Sequence, residues 1–411
     1  MDKTIITADY LLDAQGKTQK GWGILVRGAV IEKAGPLNDI LSVSQNTEAV
    51  DLGRALLSPG LINCHNHLEL TALGPRIHRT KIFTDWLDEV RELRDSLDDD
   101  YLVESTVQGV DESIAAGVTT VVDHCKSGTA RKALESKPVR AIIAHELIAF
   151  DRKTFAESKP GWKERLAWPE SERFRHGLAP HAPYSTSKEL LEWVKRYKDE
   201  RDFVISMHTL ENPHEVEFLE TGRGYFHDFL EHLGILQDDF DPPGVGPVEF
   251  LNDLGLLGKK FILVHGNYLT DEDIEIVRAG GTTVCYCPRS HHYFYHENYP
   301  LKNLLKAGIN VALGTDSMVS NWSLSMLEEM RFVYENYEAV SPETIFRMAT
   351  RNGARAIGEE KKLGCLAEGY AADIIAIALP QKSDNALKDA LSPEAKTIFT
   401  MIGGDTAYKN M

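Results

Sequence analysis

Eight short apolar runs, each followed by a stretch of helical character, constrain this chain more than any other feature. They are LINCHNH (61–67), VTTVVDH (118–124), VRAIIAHEL (139–147), HGLAPHA (176–182), FVISMHT (203–209), FILVHGN (261–267), TTVCYCP (282–288) and NVALGTD (310–316). Most are rich in Val, Ile and Leu, the pattern of parallel strands covered on both faces. Segments such as 101–116, 186–200, 270–279 and 298–308 read as helices between them. Eight strand–helix repeats point to an α/β protein built on a closed (β/α)8 TIM-like barrel. A doubly wound open sheet is the competing fold, but no glycine-rich phosphate loop follows the first strand.

The flanks read differently. Residues 1–58 break into short strands, and ILVRGAVIEKAG (24–35) alternates around a Gly turn as a hairpin does. Ser58-Pro59-Gly60 marks a boundary. AADIIAIAL (371–379), which follows Gly364 and Gly369, is the last strand-like run. We expect it to pair with the N-terminal strands. The expected organisation is therefore a small β-sandwich domain from 1–58 plus 362–411, and a barrel over 59–361. QDDFDPPGVGP (237–247) is the longest irregular stretch and reads as a lid or rim loop.

Bulk properties exclude several function classes. The chain has 411 residues, 43% hydrophobic and 26% charged, as an ordinary globular protein does. A net charge of -17 leaves no basic excess for nucleic acid. It does not exclude a small anionic substrate, which a local pocket can hold. Five Cys in so long a chain do not make a disulfide framework, and Cys285 and Cys287 are too extended to bridge. No run approaches the ~20 apolar residues of a membrane helix, and the first residues lack a signal-peptide pattern. The expected location is the cytoplasm, with no membrane partner.

Polar residues gather where the predicted strands end, the edge at which barrels carry chemistry. The first run ends in His65 and His67, two apart and so projecting to one side. The fourth ends at His181, the fifth at His208, the sixth at His265 and the eighth at Asp316, and Glu211 follows His208 by three residues. A lone strand histidine is more often packed than functional, and His124, His145 and His176 are read that way. In the cluster His291, His292 and His296, the first is read as facing substrate. Their convergence is what matters: imidazoles and a carboxylate at one rim are the donor set of a divalent metal.

PGLINCHNH (59–67), HAPYSTS (181–187), HTLENPHEVEFL (208–219), VHGNYLTDEDI (264–274), CPRSH (287–291), LGTDSMVSN (313–321) and the tail GCLAEGYAADIIAI (364–377) together resemble the amidohydrolase superfamily. The likeness is to the branch of cytosine and adenosine deaminases and triazine hydrolases, and it covers essentially the whole chain. It implies that His65, His67, His208 and Asp316 hold one divalent ion, usually zinc, with iron as the alternative. Two-metal relatives carry a modified Lys on the fourth strand; LAPHAPY here has none. The resemblance assigns acid/base roles to Glu211 and His265, with Asp316 orienting the water, and a substrate contact to His181.

The implied reaction is hydrolytic deamination of an aminated heterocycle. Dechlorination or other C–N hydrolysis of triazine, guanine or cytosine-type rings is the alternative, and a catalytically silent relative the non-enzyme one. Adenosine-type relatives often carry Trp with Glu nine residues on; here Trp86 is followed by Asp95. The common P-x-S-N of the seventh strand reads Pro288-Arg289-Ser290-His291, so Arg289 and His291 are candidate substrate contacts. The HLEL start (67–70) and the CPRSH ending are similar to aminodeoxyfutalosine deaminases. The expected partner is a small heterocycle of the adenosine, S-adenosylhomocysteine or aminodeoxyfutalosine class. Relatives often form dimers, so a homodimer is expected.

Overall fold

The computed structural model describes residues 3–44, 47–80, 82–380 and 385–410. One parallel sheet holds all eight expected strands: Leu61–Asn66, Val118–Cys125, Arg140–Leu147, Phe174–Pro180, Val204–Thr209, Phe261–His265, Thr283–Tyr286 and Asn310–Leu313. They are hydrogen-bonded in chain order. The sheet closes where the eighth strand meets the first. The amides of Thr315 and Asp316 donate to the His65 carbonyl (3.1 and 3.0 Å). The Asn63 side chain accepts from the Thr315 amide (3.1 Å) and donates to its hydroxyl (2.8 Å). Gly314 permits this approach, since a Cβ there would lie 2.9 Å from the His65 Cβ and 2.8 Å from the Cys285 Sγ.

Alternation along the strands produces two layers. Val121, Ile143, Leu178, Ile205, Leu263, Val284 and Val311 pack with the surrounding helices. Ile62, Val122, Ile142, Ala144, Val204, Ile262, Val264, Cys285 and Ala312 pack together inside the barrel. Ala354, Ala356, Ile357 and Leu363 join that inner cluster and stop the N-terminal mouth. Each large aliphatic side chain buried here contributes about 1.5–3 kcal/mol. The helices follow the same logic. Lys188–Glu200 turns Leu190, Leu191, Trp193 and Val194 inward, and Ser187 caps it by accepting from the Leu190 amide. Asp271–Gly280 starts in a Thr270/Asp273 capping box and ends at Gly281 with φ +70°.

The flanking segments build two further sheets. Lys3–Thr7, Trp22–Arg27, Val30–Pro36 and Glu48–Asp51 form a four-stranded one. The expected hairpin is its antiparallel pair, with Ile24 opposite Ala34. Tyr10–Leu12, Thr18–Lys20, Ala55–Pro59, Ile374–Ala378, Lys396–Ile402 and Asp405–Lys409 form a six-stranded one. Ile374–Ala378 pairs antiparallel with Ala55–Pro59, joining the two ends of the chain as expected. Ile6, Leu11, Ile24, Val26, Leu57, Ile374, Phe399 and Met401 share a core between these sheets. The 237–246 stretch has neither helix nor strand, and Phe240 stacks on Phe218 (5.2 Å). No helix among the described residues is long and apolar enough to cross a membrane.

Candidate active site

Strand phase places most of the site. His124, Glu146 and His208 continue the inward positions of Val122, Ala144 and Val204 two or four residues further along their strands. The first strand carries a register irregularity between Asn63 and Asn66, and His65 and His67 end with rings 5.0 Å apart and nearly perpendicular. His265 and Asp316 leave their strands in left-handed conformations, φ +70° and +60°. Such a backbone costs a non-glycine residue about 1 kcal/mol or more. Hydrogen bonds hold it here: the Tyr299 hydroxyl donates to the His265 carbonyl (3.0 Å), and the Asp316 amide to the His65 carbonyl.

Four of these side chains, His65, His67, His208 and Asp316, converge at spacings that suit a metal ion. Ligands about 2.0–2.1 Å from a tetrahedral ion lie about 3.3 Å from one another. The Nε2 atoms of His67 and His208 are 3.3 Å apart. Asp316 Oδ1 is 3.3 Å from His65 Nε2 and 3.9 Å from His67 Nε2. His65 is fully buried, and neither ring nitrogen has a hydrogen-bond partner among the described residues. That is costly for a polar ring unless a ligand occupies it. His208 donates Nδ1–H to the His181 carbonyl (2.7 Å), which leaves Nε2 bare, as metal-ligating histidines do. The hydroxyls of Ser290 and Ser320 each donate to Asp316 Oδ2 (2.7 Å), and the Ser317 amide donates to Oδ1 (2.8 Å). The donor set fits one divalent ion. The fourth strand offers no lysine for a second.

Electrostatics agree with those roles. Burial pushes the His65 and His208 imidazoles down, keeping them neutral. Burial would raise Asp316, but His65, His265 and His67 outweigh it and hold its carboxyl well below the usual range. Burial drives His265 to about 3. Burial, aided by the charges of Asp316 and Glu215, pushes Glu211 well above the ordinary carboxylate value. Its loop is pinned by Glu215, which accepts from the amides of Leu210 (2.9 Å), Glu211 (2.8 Å) and Asn212 (3.1 Å). Glu211 and His265 lie 3.6 Å apart.

A cavity opens above the cluster. His67, His208, Glu211 and Asp316 form its floor, with His181 and Glu146 beside them. Trp86, Val90, Phe229, Leu230 and Ile235 make an apolar wall, and Arg91, Arg94 and Lys126 stand at one edge. Trp86 is fixed by its indole N–H, which donates to the Val319 carbonyl (2.9 Å). His181 shares a hydrogen bond of 2.6 Å with the Ser185 hydroxyl. Segment 225–235, rather than 237–247, supplies the covering residues.

Two candidates from the seventh strand fall outside the lining. The helix Pro288–Tyr293 turns Arg289 towards Ser323 (2.6 Å), with its backbone N–H on Glu329 and its guanidinium over Trp322. His291 is buried edge-on against Tyr286 and Tyr299. Asp95 is exposed and pairs with Lys126 (3.5 Å) and Arg94 (3.7 Å). His145 and His176 hydrogen-bond each other (3.0 Å), as packed residues do.

Two further residues stand at the site: His124, expected to be a packed residue, and Glu146, which the strand ends did not single out. His124 lies against the ligand cluster, its ring 4.5 Å from His65 and its Nε2 bonded to the Ser206 hydroxyl (2.8 Å). Glu146 faces the cavity from the third strand. Both were available from phase alone, two residues beyond Val122 and Ala144.

Known proteins resemble this chain in sequence and fold. The chain is 32% identical over 375 residues to a 5-methylthioadenosine/S-adenosylhomocysteine deaminase of Pyrococcus abyssi, covering 87% of this chain and 81% of that one. A zinc-bound adenosine deaminase from Xanthomonas campestris superposes with a TM-score of 0.84 at 24% identity, covering 99% of this chain and 93% of that one. Helicobacter pylori aminofutalosine deaminase gives 0.85 at 21% identity, covering 98% and 99%. The family model matches residues 56–407, and the chain belongs to the amidohydrolase family.

Proposed function

We propose that this protein is a metal-dependent aminohydrolase that converts the amino-bearing carbon of an adenine-type nucleoside to a carbonyl, releasing ammonia. The observation that carries this reading is Glu211: a buried carboxyl at the cavity floor, 3.6 Å from His265 and beside the histidine cluster, whose burial pushes it well above the ordinary carboxylate value and so favours its protonated form. A deamination needs such a proton for the ring nitrogen next to the reacting carbon. The Pyrococcus relative supports the nucleoside class. It favours 5′-substituted adenosines of the methylthioadenosine or S-adenosylhomocysteine kind over aminodeoxyfutalosine, for which the likeness is one of fold.

His65, His67, His208 and Asp316 would hold the ion, with zinc the expected occupant. When bound, such an ion supplies Lewis acidity and an activated water near neutral pH. The protein's own groups divide the remaining work. Asp316, ionised and oriented by three hydrogen bonds, fixes the approaching water. Neutral His265, with Nε2 unpartnered, is placed to take up the water's proton. Glu211 delivers its proton to the ring nitrogen as oxygen joins the adjacent carbon. His265 passes the water's proton to the amino group, which leaves as ammonia, while the new O–H gives its proton back to Glu211 and becomes the carbonyl. The apolar wall keeps bulk water from the ring.

The test is ammonia release from adenosine, 5′-methylthioadenosine, S-adenosylhomocysteine and atrazine, with zinc-loaded and metal-stripped protein. Turnover of at least one nucleoside by the loaded protein alone is expected. Glu211→Gln should keep the metal and lose about 10²–10⁴-fold in kcat. No ammonia from any nucleoside, or full turnover by Glu211→Gln, would overturn the reading.

A further inference from the structure

We propose that Glu146 binds the sugar hydroxyls of the nucleoside, a role that rests on the adenine-nucleoside reading above. Glu146 is the penultimate residue of the third strand, in phase with Ile142 and Ala144 inside the barrel. Its side chain therefore points up into the cavity, which it lines while remaining 8% exposed. No described residue donates a hydrogen bond to its carboxylate; the nearest ring nitrogen, His67 Nδ1, is 3.9 Å away.

Among the described residues Glu211, which faces the reacting end of the ring, is the other cavity carboxylate without a donor; the remaining neighbours differ. Asp316 accepts from Ser290, Ser317 and Ser320. Glu215 accepts from three amides. Glu69 accepts from Arg94 and from the Ser127 amide. A nearly buried carboxylate left without donors is expensive, and a donor-bearing ligand relieves that cost.

A second ion does not explain it. One Glu146 oxygen does lie within 4.8 Å of ring nitrogens of His181 and His208. But His208 Nδ1 is spent on the His181 carbonyl, and His208 Nε2 faces His67. His181 Nδ1 is engaged by Ser185. Glu146 and His181 Nε2 remain, two ligands where about four are needed.

The order of groups round the mouth identifies the donor. Glu211 follows the fifth strand, His181 the fourth, and Glu146 lies at the end of the third. With the amino-bearing carbon over the ligand cluster and the neighbouring ring nitrogen at Glu211, the rest of the purine extends past His181. Its nitrogen-linked sugar then meets the third strand. The other ring nitrogens of an N-linked purine are acceptors and cannot donate to a carboxylate. The amino group is held at the opposite end. The donors left are the sugar O–H groups, and two vicinal hydroxyls match two carboxylate oxygens. Asp95 does not compete, because it lies outside the cavity against Lys126 and Arg94.

The experiment compares wild type, Glu146→Gln and Glu146→Ala on adenosine and 2′,3′-dideoxyadenosine, with metal content measured for each. For wild type, removing both hydroxyls should cost about 10- to 100-fold in kcat/KM, the range of a hydrogen bond to a charged group. Glu146→Ala should lose a similar factor on adenosine and little on the dideoxy substrate, and Glu146→Gln less, with metal content unchanged. Inhibition by inosine should weaken in the variants, and inhibition by 2′,3′-dideoxyinosine should not. Equal losses on both substrates, loss of metal, or a wild type blind to the hydroxyls would overturn the assignment. Wild type inactive on both nucleosides and on those of the preceding assay would instead remove the deaminase reading, and the hydroxyl site with it.

Discussion

The two mouths of the barrel are made by the same eight strands and have opposite characters. At the N-terminal mouth the inner side chains are Ile62, Ile142, Val204 and Ile262, stopped by Ile357 and Leu363. The cleft there is the larger, about 420 Å³ against about 210 Å³ for the cavity over the histidines. Its less exposed charges are paired: Arg175 with Glu359 (3.0 Å), and Arg140 with Asp373 (2.8 Å). At the C-terminal mouth, His65, Asn66, Asp123, His124 and His265 all bury polar atoms without partners. One end pairs those charges and leaves only the Thr120 hydroxyl buried without a partner among the described residues; the other gathers several such groups, which the proposed metal and substrate would complete. Size of hollow does not locate chemistry, but unpaired buried groups do.

Breaking the C-terminal mouth should have the largest effect. Asp316→Ala removes the one carboxylate ligand, and a stoichiometric ion and turnover should be lost together, the latter by roughly 10⁴-fold or more. Elemental analysis beside the ammonia assay checks this. An active, metal-free variant would sink the ligand assignment. At the other mouth, Ile262→Ala should cost about 2–5 kcal/mol of stability by opening a cavity. Its kcat per folded molecule should remain near wild type. Equilibrium denaturation with activity measured on the same sample decides it, and a large fall in kcat would show that the two ends are coupled.

The smallest effect sharpens the comparison by leaving both mouths alone. His145, buried in the shell between strands and helices, is held neutral, at about 3, first by burial and then by His176 and Arg165. Because its folded value is lowered, the unfolded chain binds the extra proton between about pH 6.5 and 3. Its contribution to stability is complete above about 6.5 and lost as pH falls towards 3, at up to about 1.4 kcal/mol per pH unit. His145→Gln should flatten the acid limb of metal-free protein by up to that slope. An unchanged limb would mean that His145 takes its proton without unfolding.

The strands were legible because burial on both faces writes itself as runs of Val and Ile, and the ligands because they end those runs. His65, His67, His208 and Asp316 came from position plus family likeness, and the structure brings them together. What stayed hidden depends on phase or on three-dimensional packing. Glu146 sits inside an apolar strand, where a single polar residue carries no marker of its own, and His124 ends its run but was expected to be packed, because nothing local separates a packed strand histidine from one at the site. Arg289 and His291 follow a strand as the expected contacts should, but a helix begins at Pro288 and rotates them onto Trp322 and the Tyr286–Tyr299 stack. No local pattern reveals that rotation.

The seam between the first and eighth strands sets when the site comes into being. Asn63 and Thr315, which lock it, are 252 residues apart, and pairings that distant form late because the intervening loop must first be closed. A chain emerging from the ribosome displays His65 and His67 long before Asp316 has been made. The complete ligand set exists only once the last barrel strand has docked. With the proposed ligands, metal uptake would report that the whole barrel has closed, and a half-made chain would hold no complete centre with which to act prematurely.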